Sequence, residues 1–275
     1  MKKHVLFVIP SLAGFIVFFI LPFLIALGYA FVNKPIGGAF VGLKNFIDLF
    51  HNKSYLIGLR NTFIFVGTSV PFNILLSLLA AMLINKLAGK RRELFTLVFL
   101  IPLVIPSGSM MFFWRLMFSS GGHLNGILAA LGQARVKWLE TNWVILIIFL
   151  WKNMGYNVVL FLAGLNNIPR EYYEAAQADG ANALQTFRHI TAVCLMPTFL
   201  LVLIMSVINS FKVFKEVYLL MGSYPHESVY TLQHFMNNMF YSLDYQKLAA
   251  ATTVFVLIIT AFTQFLFKLE RKVSQ

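Results

Sequence analysis

The chain has 275 residues, of which 59% are hydrophobic and only 12% are charged, and its mean hydropathy is +0.77. This composition is too apolar for a soluble domain of that length and indicates a protein with several membrane spans. The formal net charge of +12 does not indicate binding to nucleic acid, because the lysines and arginines cluster at the ends of apolar stretches.

Six apolar stretches are long enough to cross a bilayer as helices, which takes about 20 residues each. They lie near residues 5–31, 59–85, 94–117, 142–164, 197–221 and 248–267. The first stretch is too long for the apolar part of a cleaved signal sequence, so we predict a retained span. The sequence therefore predicts an all-α membrane protein with six transmembrane helices.

The distribution of lysine and arginine predicts the orientation of these spans. With six spans both termini lie on one side, and that side has eleven lysines and arginines, whereas the opposite loops have seven. The basic residues on the terminal side include Lys2, Lys3, Arg271 and Lys272. Because positive residues prefer the cytoplasm, both termini are predicted to be cytoplasmic.

Two features between the spans predict local structure. The turn at Gly37-Gly38 followed by residues 41–46 indicates a short amphipathic helix at the membrane surface. Pro102 and Pro106 in the third span indicate a kinked helix that borders a cavity.

Polar residues inside the spans are the candidates for a transport path. Lys152 lies in a polar patch of the fourth span, where a charged side chain is costly and marks a functional or paired position. The alternatives for Lys152 are snorkelling and pairing with a neighbouring subunit, since no carboxylate partner is evident in the sequence. In the fifth span, Lys212 and Glu216 are four residues apart, so pairing on one helix face is the alternative to contact of Lys212 with cargo. That span also contains Ser206, Asn209, Ser210 and Lys215.

No enzyme chemistry is predicted for this chain. Cys194 is the one cysteine, and no Cys/His cluster has metal-site spacing, so neither a disulfide nor a metal is expected. The carboxylates are scattered, and no catalytic arrangement of Ser, His and Asp is evident. A G-x-x-x-x-G-K-[ST] phosphate loop is also absent, so the chain is predicted to lack an ATPase site and a cofactor of its own.

The loop from Glu171 to Pro197 predicts two short helices hinged at a glycine. Pro169 stands just before a run of helix formers, and Asp179-Gly180 then predicts a helix end. Consecutive alanines on a short polar helix allow another protein surface to approach its backbone closely. The alternative is a plain connector between two spans.

The residues of this loop resemble a known family. Their spacing is that of the EAA motif, which is found in the inner-membrane permease subunits of binding-protein-dependent ABC importers. In this chain the motif consists of Glu174-Ala175-Ala176, then Gly180 after three further residues, and Ile190 after another nine. Other positions of the loop resemble those of the sugar-importer branch of this family, in particular of the maltose-type large subunit. They are Asp179, Phe187, His189, Thr191 and Pro197-Thr198. The chain departs from the family at Ala192 and Val193, where Leu-Pro is usual, so only Pro197 marks the entry into the next span.

The resemblance implies the ABC importer permease fold and a set of roles for individual residues. Residues 1–40 would form the first helix and the start of an outer loop, residues 41–267 the core permease domain, and residues 268–275 a cytoplasmic tail. The cytoplasmic loop 166–197 would couple to an ATPase through Glu174, Ala175, Ala176, Asp179 and Gly180. The substrate path would include Ser107, Lys152, Gly155, Ser206, Asn209 and Ser210. Serine and asparagine in membrane helices also join helix to helix, and that alternative stays open.

The resemblance also implies partners, location and cargo. The expected partners are a second homologous permease, two ABC ATPase subunits that bind ATP-Mg, an extracellular solute-binding protein and membrane lipid. The expected location is the bacterial cytoplasmic membrane. The expected cargo is a sugar or oligosaccharide, with an acidic sugar or a glycerol phosphodiester as the alternative because of the lysines. An ion-coupled carrier and a non-transporting scaffold are the rival functions.

Overall fold

A computed structural model describes the backbone of residues 2–273 and the side chains of residues 8–268. Apart from one isolated antiparallel bridge between Val32 and Phe40, the regular structure of these residues is helical. The predicted all-α class is therefore confirmed. The predicted orientation rests partly on four residues whose side chains lie outside the described part of the chain: Lys2, Lys3, Arg271 and Lys272. The last residues of the predicted tail, Ser274 and Gln275, also lie outside it.

The helices follow one another with short connections. The first are α1 (Lys2–Phe15), α2 (Leu21–Tyr29), α3 (Lys44–Phe50) and α4 (Lys53–Asn85), with a π-type segment, Ile16–Ile20, between α1 and α2. They are followed by α5 (Gly89–Val104), α6 (Ser107–Phe118), α7 (His123–Ala130) and α8 (Asn142–Asn166). The next are α9 (Arg170–Ala178), α10 (Ala183–Thr186), a π-type segment (Phe187–Thr191), α11 (Ala192–Cys194), α12 (Met196–Phe211) and α13 (Phe214–Met221). The last are α14 (Leu232–Tyr241) and α15 (Tyr245–Val273).

Five helical stretches among the described residues are long and apolar enough to cross a membrane, and a bent pair of helices counts as a sixth if it is one span. The five are Val8–Tyr29, Lys53–Asn85, Asn142–Asn166, Met196–Met221 and Tyr245–Lys268. They coincide with five of the six apolar stretches predicted from the sequence. The amphipathic helix predicted after Gly37-Gly38 is also present, as α3.

The third predicted span, near residues 94–117, is not one kinked helix. It consists of α5 and α6, and the bend between Gly89–Val104 and Ser107–Ala130 is 97°. The physical cause is Pro106, because the residue before a proline is disfavoured in the helical conformation. Ile105 is accordingly extended, with φ −73° and ψ 125°. Pro102, by contrast, is accommodated inside α5.

The chain forms two compact units. The first contains the residues up to Leu59 together with Leu232–Phe262, and the second contains Arg60–Thr231 and the residues from Thr263 onward. In the first unit, the Asn45 amide donates to the backbone oxygens of Ala30 and Val32, at 2.9 Å each, and so joins α3 to the segment after α2. None of the residues 8–29 is buried.

The second unit has its apolar core between α4, α8 and α12. Val70 and Ile74 of α4 pack with Val158 and Phe161 of α8 and with Val202 of α12. The helix α5 lies against α8, and this contact is close because α8 has a glycine there. A Cβ atom on Gly155 would overlap with the carbonyl oxygen of Phe99.

His234 makes the stability of the first unit sensitive to acid. It lies on α14, outside the candidate spans, and is 0% exposed. Burial lowers the pKa of His234 from its ordinary 6.5 to about 4, because the imidazolium ion loses its hydration.

Acidification from pH 7 to pH 5 is therefore expected to lower the free energy of unfolding through His234. Between the two pKa values the unfolded chain binds a proton that the folded chain does not, so stability falls as the pH falls, by up to about 1.4 kcal/mol per pH unit. Thermal unfolding of the purified protein at a series of pH values measures this slope. The variant His234→Gln should have a shallower slope, and equal slopes for the two proteins would contradict the prediction.

Candidate functional site

Three polar side chains from three different helices meet inside the second unit. The Lys152 ammonium, on α8, donates to the Ser107 hydroxyl of α6 and to the Glu216 carboxylate of α13. The Ser107 hydroxyl also lies 3.4 Å from the same carboxylate oxygen. The Glu216 side chain is 9% exposed and the Lys152 side chain 28% exposed. These residues form a shielded ion pair with one hydroxyl attached.

The local helix geometry explains the position of this pair. Lys152 lies about 15 Å along α8 from its first residue, Asn142, which places it near the middle of the span. Ser107 is the first residue of α6, so the break at Pro106 brings a helix N-terminus to the carboxylate of Glu216. A negative charge is stabilised at a helix N-terminus, and an opposite charge makes a buried lysine tolerable.

The pairing differs from the one predicted from the sequence. Glu216 bonds to Lys152 instead of Lys212, so Lys152 does have a carboxylate partner within the chain. The predicted pairing of Lys212 with Glu216 assumes one continuous helix. The helix is interrupted, however, since α12 ends at Phe211 and α13 begins at Phe214, and among the described residues the Glu216 carboxylate has its ion pair with Lys152 and not with Lys212.

A cavity of about 120 Å³ adjoins the ion pair. It is lined by Phe149, Lys152, Asn153, Asn209, Lys212, Val213 and Glu216. Ligand pockets typically measure about 300–1,000 Å³, so in this conformation the cavity has room for a small group and not for an oligosaccharide. Its lining combines two ammonium groups, one carboxylate and two carboxamides.

The structure separates the six predicted path residues into two groups. Lys152 and Asn209 line the cavity, and Ser107 is bonded to Lys152. The other three lie in helix contacts. Gly155 is one of them, since it is buried where α8 meets α5.

The two buried serines of α12 make bonds within the helix packing. Ser206 accepts a hydrogen bond from the Asn157 amide of α8 at 2.8 Å, and the Ser210 hydroxyl donates to the Val207 backbone oxygen at 2.7 Å. Both serines are at most 1% exposed. The Ser206 contact corresponds to the alternative role of serine in membrane helices, which is to join one helix to another, whereas the Ser210 bond stays within α12.

Sequence reasoning left Asn153 and Glu216 out of the path. Asn153 follows Lys152 directly, and its position in the polar patch of the fourth span was the available signal. Its amide donates to the Phe149 backbone oxygen at 2.9 Å, one turn earlier in α8, and its carboxamide lines the cavity. Glu216 lies in the fifth predicted span, where a charge was the available signal, but its pairing with Lys152 could not be predicted because the two residues are 64 positions apart in the chain.

The predicted coupling loop has the hinged form expected from its sequence. The helix α9 begins after Pro169 and ends at Ala178, and Gly180 then has a left-handed φ of +75°. The helix α10 begins with a capping box, in which the Gln185 N–H donates to the Asn182 side-chain oxygen and the Asn182 N–H donates to the Gln185 side-chain oxygen. The loop is therefore two helical segments joined at Gly180.

The surface of this loop is open to a partner. Glu174, Ala175, Asp179 and Gly180 are exposed, and Ala176 is half-buried. The apolar Leu184 of α10 is also 74% exposed.

Comparison with known proteins defines the class of this chain. Residues 73–275 match the family described as "Binding-protein-dependent transport system inner membrane component". The arabinooligosaccharides transport system permease protein AraP of Bacillus subtilis is 33% identical over 222 residues, which are 78% of this chain and 71% of AraP. The trehalose/maltose transport system permease protein MalF of Thermococcus litoralis is 31% identical over 282 residues, which cover 98% of this chain and 94% of MalF.

Solved structures agree with this assignment at the level of fold. A chain of the bacterial ABC transporter that imports the acidic polysaccharide alginate matches with a TM-score of 0.83 and 22% identity, covering 100% of this chain and 97% of that chain. The ABC importer permease fold is thus confirmed.

The chain belongs to the inner membrane components of binding-protein-dependent transport systems. It is a multi-pass membrane protein. As a membrane subunit of this family it is a transport component without an ATPase site of its own, as the sequence predicts.

Proposed function

We propose that this chain is a permease subunit of an ATP-driven ABC importer and forms half of the path for a sugar or oligosaccharide. The observation that carries the proposal is the similarity to AraP and MalF over most of the chain, because their names specify arabinooligosaccharides and trehalose/maltose. The carboxamide, carboxylate and ammonium groups around the cavity suit a hydroxyl-rich cargo, which proteins bind through side-chain hydrogen bonds.

The architecture of the complex is part of the proposal. Residues 41–267 would be the core permease domain, with a second homologous permease completing the path. Two ABC ATPase subunits would bind ATP-Mg on the cytoplasmic side, and an extracellular solute-binding protein would deliver the cargo. The complex would lie in the bacterial cytoplasmic membrane with both termini of this chain inside.

The coupling loop, residues 166–197, would transmit ATPase closure to the spans. Glu174 would provide charged contacts, while Ala175 and Ala176 would allow close approach of the ATPase surface. Gly180, with Asp179 before it, would set the angle between α9 and α10. The exposure of these groups supports this assignment.

The rival carrier function has one observation in its favour. An ion-coupled carrier requires paired ionisable groups inside the membrane, and Lys152 with Glu216 is such a pair. Membership of a family of binding-protein-dependent systems weighs against it, because those systems have several subunits. We therefore propose the importer function and not the ion-coupled carrier.

Uptake by proteoliposomes tests the proposed function. The chain is purified together with the proteins that bind it and is reconstituted with ATP inside and radiolabelled maltotriose or arabinotriose outside. We expect uptake to require ATP, the binding protein and the ATPase subunits, and to persist when ionophores remove ion gradients. Accumulation of sugar by this chain alone, without any ATPase, would contradict the proposal.

A further inference from the structure

The cavity beside the ion pair has one positive charge in excess. Of its three ionised side chains, Glu216 is neutralised by Lys152, which leaves the charge of Lys212. Among the described residues, the ion pairs are Lys137–Glu140, Lys152–Glu216 and Lys247–Asp244, so Lys212 has no anionic partner there.

Lys212 is placed to meet a ligand. Its side chain is exposed and belongs to the residue that follows the last turn of α12. A cation is stabilised at a helix C-terminus, which explains why a lysine is tolerated at this position. That effect does not explain why the lysine lines a cavity that already contains the ammonium group of Lys152.

Hydrogen-bonding groups next to Lys212 are available to the same ligand. Asn209 lies one turn earlier in α12, lines the cavity and is half-buried. Asn153 uses its amide nitrogen on Phe149, which leaves its carbonyl oxygen as an acceptor for a hydroxyl group. The cavity therefore offers a charge for an anion and carboxamides for hydroxyl groups.

We propose that this cavity is a subsite for an anionic group, a carboxylate or a phosphate, on a hydroxyl-rich cargo, and that Lys212 selects for that group. The inference rests on the proposed importer function and specifies its substrate class as an acidic sugar. One excess positive charge matches one anionic group at a time, and Asn209 and Asn153 bind the neighbouring hydroxyl groups. Lys152 is committed to Glu216 and keeps the cavity in shape.

Cargo preference of the complete importer tests this inference. Uptake of trigalacturonate is compared with that of maltotriose, and uptake of a sugar phosphate with that of its parent sugar, in proteoliposomes with ATP and the binding protein. Lys212→Gln is expected to lower uptake of both anionic cargoes about tenfold or more, since one charge contact at close range is worth at least that factor. Uptake of the neutral sugars should change little.

Matched variants distinguish charge recognition from a structural effect. Lys215→Gln removes an exposed lysine that does not line the cavity, and it should leave the preference unchanged. Lys212→Arg keeps the charge and should retain uptake of the anionic cargoes.

The outcomes that overturn the inference differ from failure of the proposed function. An equal loss of neutral and anionic uptake in Lys212→Gln would assign Lys212 to folding or to a lipid phosphate. ATP-dependent uptake of maltotriose without any uptake of anionic cargo would also overturn the inference, and the importer function would stand. Absence of ATP-dependent uptake for every sugar would instead contradict the proposed function.

Discussion

Replacement of Glu216 by leucine is expected to lower the free energy of unfolding by on the order of 2 kcal/mol. The variant leaves the Lys152 ammonium without its carboxylate, at a position where it is 28% exposed. Loss of one partner of a buried ion pair costs about 3–5 kcal/mol, and the partial exposure of Lys152 reduces that figure. Thermal and denaturant unfolding of the purified protein measure the change.

Two controls show whether the charge is responsible. The double variant Lys152→Met with Glu216→Leu removes both charges and should be more stable than Glu216→Leu alone. Glu140→Gln breaks an exposed pair, in which Lys137 is 77% and Glu140 40% exposed, and should change stability by less than about 1 kcal/mol. If the double variant is no more stable than Glu216→Leu alone, the unpaired charge of Lys152 is not the cause of the lost stability, and the prediction is wrong.

Replacement of Gly180 by leucine is expected to reduce ATP-driven uptake about tenfold or more and to leave the amount of folded protein nearly unchanged. A side chain at φ +75° costs about 1–2 kcal/mol in the left-handed conformation. Apart from the glycine and its two chain neighbours, no atom of the described residues lies within 4 Å of a Cβ built on Gly180, so the substitution does not disturb packing among them. We therefore attribute the loss of uptake to a changed angle between α9 and α10 and to a changed contact surface for the ATPase. The rate of uptake and the amount of ATPase that co-purifies with the variant measure it.

Gly89 provides the matched control for this variant. It has a φ of +54°, and in the described part of the chain a Cβ built on it also has no neighbour within 4 Å beyond the adjacent residues. Gly89→Leu therefore introduces comparable backbone strain outside the coupling loop and should leave uptake largely intact. Gly180→Asn should retain more uptake than Gly180→Leu, because asparagine tolerates this conformation. Normal import by Gly180→Leu in an assembled complex would exclude the hinge role.

The parts of the fold that depend on neighbouring residues were predictable from the sequence. The start of α9 after Pro169, its end before Gly180 and the entry into α12 at Pro197 follow from local backbone preferences of proline and glycine. Apolar length likewise predicted five spans correctly. The third span was predicted as one kinked helix, because the sequence does not reveal how far the chain bends at Pro106.

The candidate site was less predictable, because it depends on contacts between distant residues. Lys152 was identified from the cost of a charge inside the membrane, whereas its partner Glu216 is fixed by the packing of α13. Similarly, nothing local distinguishes Asn209, which lines the cavity, from Ser206 and Ser210, which are buried in helix contacts. Only the rotation of α12 about its axis decides which side chain faces which way.

The distance along the chain between Lys152 and Glu216 has a consequence for membrane insertion. A ribosome adds Lys152 before Glu216, and the 64 residues from Asn153 to Glu216 take about 3–13 s at ordinary rates of synthesis. During that interval the ammonium group has no carboxylate, and an unpaired charge is costly at the centre of a bilayer. We therefore expect the lysine of α8 to stay hydrated or to be held by the insertion machinery until α13 has been made.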